Sequence, residues 1–130
     1  MIDHIGIPVA DYARSKAFYL STLASIGAAL VMEVPASVTE SGRPTAGFGR
    51  GKPDFWISEA DAVAASHVAF SVSSRAQVDA FHAAGLAAGA RDNGAPGLRT
   101  IYHPDYYGAF LIDPDGHNIE AVCHLPEGSA

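Results

Sequence analysis

Two histidines occupy matching places in this chain. His4 opens the run His4-Ile5-Gly6-Ile7-Pro8-Val9, and His67 opens His67-Val68-Ala69-Phe70-Ser71-Val72, 63 residues later. Each run reads as a strand that leads into a helix. A carboxylate, Glu120, sits on another strand-like run near the end of the chain. A neutral imidazole nitrogen offers a lone pair that suits Fe, Mn, Zn or Ni, and a carboxylate adds an anionic oxygen. A single histidine at a strand end is ordinarily just a polar residue. Two at repeated positions, with a late glutamate, favour a divalent-metal site built from His4, His67 and Glu120.

A second cluster precedes Glu120. Arg99, Tyr102, His103, Asp105, Tyr106 and Tyr107 fall within one short segment. Strand alternation places Tyr107, Ala109 and Leu111 on one face and Tyr106 and Phe110 on the other, so one of the two tyrosines turns inward. Tyr107 is the candidate donor to a developing oxyanion, and His103 the candidate general acid or base. Tyr106 and Trp56 are candidates for lining a substrate pocket. Arg99 can grip a carboxylate or phosphate at two points. Taken singly, each of these residues also reads as an ordinary loop, strand or core residue. His82 and His117 read as surface residues. His124 shares strand parity with Glu120 but lies where the chain end frays. Cys123, with no activating neighbour, reads as buried packing.

The elements that must position these groups follow from periodicity. Strands are predicted at 2–9, 28–34, 45–49, 54–58, 66–73, 99–103, 106–113 and 117–123, and helices at 12–26 and 75–88. A Gly/Pro loop is expected at 94–97. Asp113-Pro114-Asp115-Gly116 reads as the turn between the last two strands. At the offset of 63, Phe18 falls on Phe81, Leu23 on Leu86 and Asp11 on Ser74, both of the last pair being good helix N-caps. Gly27 and Gly89 close the two helices. The chain is therefore a duplicated unit of pattern β-α-β-β-β, with halves at about 1–60 and 64–126. No flexible linker separates them, so residues 1–130 are expected to form a single domain.

Bulk properties narrow the function. At 130 residues and 48% hydrophobic, the chain has the makings of an ordinary compact core. A net charge of −6 and only eight Lys and Arg residues disfavour nucleic acid as a partner. One cysteine excludes an internal disulfide and cysteine-based zinc or iron–sulfur sites. No apolar run approaches a membrane span, and the opening residues lack a signal-peptide pattern. A soluble, cytoplasmic protein is expected. Dinucleotide-binding, phosphate-loop and nucleophile-elbow motifs are absent from the sequence.

The early His-Ile-Gly-Ile, the central His67-Val68-Ala69-Phe70 and the terminal Phe110-Leu111-Ile112-Asp113-Pro114-Asp115-Gly116-His117-Asn118-Ile119-Glu120 resemble the vicinal oxygen chelate superfamily. That superfamily includes glyoxalase I, extradiol dioxygenases, fosfomycin-resistance transferases and bleomycin-resistance proteins. The resemblance covers nearly the whole chain. It implies an α+β fold of two βαβββ modules forming a curved mixed sheet around a cleft, a divalent metal cofactor, a small-molecule substrate and a homodimer. It places His4, His67 and Glu120 at three ligand positions. A fourth ligand, usually glutamate in glyoxalase I, would fall near Ile57, where Phe55, Trp56 and Ile57 cannot bind a metal. The implied function is a metal-dependent lyase or dioxygenase acting on a small oxygen-chelating substrate. The alternatives are a metal-free binder of the bleomycin-resistance type and a fosfomycin-type thiol transferase.

Overall fold

The computed structural model describes residues 1–128. In chain order the elements are β1 (Ile5–Val9), α1 (Tyr12–Ala24), β2 (Ala29–Val34), β3 (Thr45–Gly49), β4 (Phe55–Glu59), β5 (His67–Ser71), α2 (Arg75–Ala87), β6 (Arg91–Leu98), β7 (Tyr107–Ile112) and β8 (Asn118–Cys123). They fall into two compact units, Met1–Ala64 and Ala65–Ala130. Each unit repeats β-α-β-β-β and holds its own four-stranded mixed sheet, in the orders β1-β4-β3-β2 and β5-β8-β7-β6. In each, the first strand runs parallel to the last, and the other neighbours are antiparallel.

The two helices start and stop by the same local chemistry. Asp11 and Ser74 accept hydrogen bonds from the backbone N–H groups of Arg14 and Gln77, three residues on, which satisfies an otherwise unpaired donor of the first turn. Just past each helix Gly27 and Gly89 take left-handed φ values of 78° and 107°, a conformation that glycine adopts without the steric penalty of a Cβ.

Each helix buries one face on its own sheet. In the first unit Phe18, Tyr19 and Leu23 are buried together with Ile7, Val9, Phe48, Phe55 and Ile57. The Tyr19 ring lies 5.0 Å from both Phe18 and Phe55. In the second unit Val78 and Phe81 are buried with Ala109, Leu111, Ile119 and Ala121, and Phe81 meets Phe70 at 6.1 Å. Burying large apolar side chains contributes about 1.5–3 kcal/mol each, so these two layers supply most of each unit's stability.

One element departs from the sequence reading. A strand was expected at 99–103 after a loop at 94–97, yet β6 occupies 91–98 and contains Gly94, Pro96 and Gly97. Strand β6 is the outer strand of its sheet, and its register with β7 shifts between Asp92 and Gly94 and again between Gly94 and Gly97. An edge strand with bulges tolerates glycine and a proline that has no N–H to give. Residues 99–106 form the turn instead, closed by the Arg99 N–H on the Tyr106 carbonyl at 2.7 Å. No helix among the described residues is long and apolar enough to cross a membrane.

Gly47 tests the packing of the first sheet. It pairs with Trp56 across β3 and β4, and a Cβ there would stand 2.7 Å from Pro53 Cβ and 2.9 Å from the indole ring. We predict that Gly47→Ala destabilises the protein by about 1–3 kcal/mol through overpacking, read as a lower denaturation midpoint with an unchanged slope in urea.

Candidate metal and ligand site

In the second unit, strand register gathers the chemistry-bearing residues onto one face of the sheet. Glu120 is paired with Ala69 on one side and with Phe110 on the other. His67, two residues before Ala69, therefore falls diagonally across from Glu120 on the same face. The pair is joined, His67 Nε2 to Glu120 Oε1, at 3.0 Å. Helix α2 packs on the opposite face, where Tyr107 reaches it by donating its hydroxyl proton to Asp79 at 2.7 Å.

Glu120 is only 2% exposed, and its second oxygen accepts a short hydrogen bond from the Tyr106 hydroxyl. A buried carboxylate is unfavourable without such partners. Partial burial, reinforced by the neighbouring Glu120 charge, pushes the Tyr106 phenol well above its ordinary range, so Tyr106 stays protonated and acts as a donor. His67 also meets Asn118, its Nδ1 lying 3.1 Å from the side-chain amide. An Asn amide can turn to present either its nitrogen or its oxygen, so Asn118 suits either tautomer of His67.

The two tyrosines fall on opposite faces of the sheet. Tyr107 lies on the helix face against Asp79, with Arg75 over its ring at 5.1 Å. Tyr106, expected to line the pocket, is the phenol at Glu120. Alternation separates the two tyrosines, but which face carries Glu120 depends on the β7–β8 pairing, which only the fold supplies.

His103 has both ring nitrogens engaged. Its Nδ1 accepts the Asp105 backbone N–H at 3.1 Å. Nε2 must then carry the proton of the neutral ring and donate it to His124 Nδ1 at 2.8 Å. The hydrogen-bond direction leaves the His124 Nε2–H as the outward end of the chain. The two imidazoles stack at 5.1 Å, and Tyr106 lies edge-on to both. His124, expected to fray, is therefore part of the cluster. Its parity with Glu120 was the available signal, and Asn118 carried the same one.

Arg99 spans the same face. Its terminal nitrogens donate to the carbonyls of Gly97 at 2.9 Å and Ala95 at 2.7 Å, and its guanidinium lies 5.4 Å from the Phe110 ring centre.

In the first unit, His4 is exposed and its Nδ1 lies 2.6 Å from Asp3 Oδ1. A carboxylate on one ring nitrogen orients the other toward a ligand. The register here pairs Gly6 with Trp56, as Ala69 pairs with Glu120 in the second unit. The position corresponding to Glu120 is therefore Trp56, one residue from the expected Ile57. Its indole N–H is spent on the Pro53 carbonyl at 3.0 Å, and an indole offers no metal-binding lone pair.

Three further expectations are settled by burial. His117 is fully buried rather than exposed, and its Nδ1 accepts the Ser66 N–H at 2.9 Å. His82 is 9% exposed and meets Asp92 at 2.9 Å. Cys123 is buried, as expected. Asp113, Asp115 and His117 bring potential ligand atoms within 4.8 Å of one another. Asp113 Oδ1 already accepts the N–H groups of Asp115 and His117. We read this group as the hydrogen-bonded lock of the β7–β8 turn.

Two modules of this topology, each a four-stranded mixed sheet with one helix, define a paired βαβββ protein. The chain belongs to the Glyoxalase/Bleomycin resistance protein/Dioxygenase superfamily, whose model matches residues 1–121. A solved glyoxalase/bleomycin resistance protein from Albidiferax ferrireducens is 29% identical, with a TM-score of 0.76 over 95% of this chain and 98% of that one. TioX from Micromonospora is 18% identical and aligns over 96% and 99% with a TM-score of 0.70. Glyoxalase I from Zea mays is 21% identical with a TM-score of 0.69, and the alignment takes in 94% of this chain but 45% of that longer one. No curated protein matches by sequence.

Tyr106→Phe is predicted to leave one oxygen of buried Glu120 without its donor and to lower stability by about 1–3 kcal/mol. Tyr107→Phe, whose partner Asp79 is exposed, should cost less than about 1 kcal/mol. Parallel urea titrations of the two variants check the ordering.

Proposed function

We propose that the chain is a divalent-metal-dependent enzyme of the glyoxalase/dioxygenase type that acts on a small oxygen-chelating substrate. The observation that carries this reading is the His67–Glu120 pair, an imidazole nitrogen and a buried carboxylate oxygen 3.0 Å apart on one sheet face. In the proposed site His67 and Glu120 hold the ion, with His4 contributed by the first module of the same chain or of a second copy. This nitrogen-and-oxygen donor set suits Fe, Mn, Zn or Ni, and no fourth protein ligand follows at Trp56. The reading also takes the two modules as one domain in a cytoplasmic homodimer.

When bound, such an ion polarises adjacent substrate oxygens and stabilises developing negative charge. The rest falls to the chain's own groups. Tyr106, held protonated, spends its one O–H on Glu120 and keeps that carboxylate oriented. His103, the candidate general acid or base, fixes the tautomer of His124, whose Nε2–H then serves as a hydrogen-bond donor. Trp56 serves as an aromatic wall.

A second reading is a metal-free binding protein. Two features favour it: Trp56 stands where the Glu120 of the other half would recur, and both Glu120 oxygens are satisfied by Tyr106 and His67 without an ion.

Metal analysis of protein purified without chelators separates the two. The enzyme reading expects stoichiometric metal in the wild type and its loss in His67→Ala and Glu120→Gln. Metal-free wild-type protein that takes up no added Fe, Mn, Zn or Ni sinks it. Asn118→Leu should weaken metal affinity by about tenfold to a hundredfold, because the His67 ring loses its orienting partner. Competition with a chromogenic chelator measures that change.

A further inference from the structure

We propose that Arg99 is an anchor for a carboxylate, so that the ligand of this site is a small organic acid. Placing the anchor in the ligand site rests on the functional reading above; the anion affinity of Arg99 does not.

The charge pattern leaves this residue, like Arg91, without a carboxylate partner among the described residues, and Arg99 is the one of the two that stacks on Phe110. The chain carries net charge −6 and only eight Lys and Arg residues. Lys16, Arg43, Lys52 and Arg75 each face a carboxylate within 4.0 Å. Arg99 faces none among the described residues. Its contacts are two main-chain carbonyls and an aromatic ring. Those carbonyls take one N–H from each terminal nitrogen, so three of the five guanidinium N–H donors stay open. The group is thus oriented without being neutralised.

Its position is set by the fold. Gly94 pairs with Phe110 and Gly97 with Gly108. A Cβ on Gly94 would come within 3.2 Å of the Arg99 guanidinium and 2.9 Å of the Phe110 ring, and one on Gly97 within 3.3 Å of the guanidinium. Glycine at these two places lets the guanidinium lie close against the strand. Phe110, beneath it, is the cross-strand partner of Glu120. The Arg99 N–H closes onto the Tyr106 carbonyl at 2.7 Å, and the Tyr106 hydroxyl holds Glu120. Arg99 and the Glu120 phenol therefore close one and the same turn, on one face.

A carboxylate fits better than a phosphate. A planar two-oxygen anion matches adjacent guanidinium N–H donors. A phosphate monoester brings close to two negative charges to a place with one unpaired cation beside Glu120.

The test uses the full-length protein loaded with manganese(II). Isothermal titration compares protocatechuate with its methyl ester, which keep the vicinal oxygens and differ in the carboxylate. We expect protocatechuate to bind at least about tenfold more tightly, as a charge-assisted contact implies. The preference should vanish in Arg99→Gln and shrink in Arg99→Lys. Because Arg99 also braces its turn, the wild type supplies an independent readout: the Arg99 Nε–H resonance should shift on titration with benzoate, with and without metal. An unshifted resonance, an ester that binds as well as the acid, or phenyl phosphate binding more tightly than benzoate overturns the proposal. If His67→Ala abolishes metal binding while the benzoate shift persists, both readings stand. If the wild type binds no metal and the shift persists, the anchor survives and the metal reading fails.

Discussion

The parallel pairing of β5 with β8 is the constraint on which the site depends. It sets Ala69 opposite Glu120 and so brings the His67 ring diagonally over the carboxylate. A slip of one residue would turn Glu120 into the helix-side core, among Phe81, Ala109 and Leu111, where a carboxylate has no partners. Fixing the sheet by hydrophobic burial on one face therefore fixes the polar constellation on the other. The site inherits its geometry from the core.

The two halves share this register and have diverged in what hangs from it. Gly6 and Ala69 are equivalent, and so are their partners Trp56 and Glu120. Where one half presents a carboxylate, the other lays an indole on Gly47. The second sheet carries ionic and hydrogen-bonding groups at this position, and the first carries an aromatic plane. The change needed no alteration of the backbone plan, because Gly47 left the room that the large ring required.

Much of this was legible in the sequence. The duplication could be read from His4 and His67, from Phe18 and Phe81, and from the cap residues Asp11 and Ser74, since caps and apolar spacing are local properties. Both helices and seven of the eight strands follow from such signals. Strand β6 did not, because its glycines and Pro96 carry loop propensity, and only a place at the sheet border makes them tolerable. The Tyr106 contact with Glu120 was hidden for a related reason. Alternation sorts Tyr106 from Tyr107, but pairing with a distant strand decides which side matters. The burial of His117 was hidden because its partner, the Ser66 N–H, is 51 residues away. His124 was legible by parity, yet its tautomer depends on the Asp105 N–H, a contact that the folded turn creates.

The irregularity of β6 has a bearing on the molecule's behaviour in a crowd. A straight border strand offers an unbroken row of donors and acceptors to any other extended chain. Here two register shifts twist that row out of line, and Pro96 removes one donor from it altogether. The border is a poor template for cross-strand aggregation, so the second sheet does not invite growth along its edge.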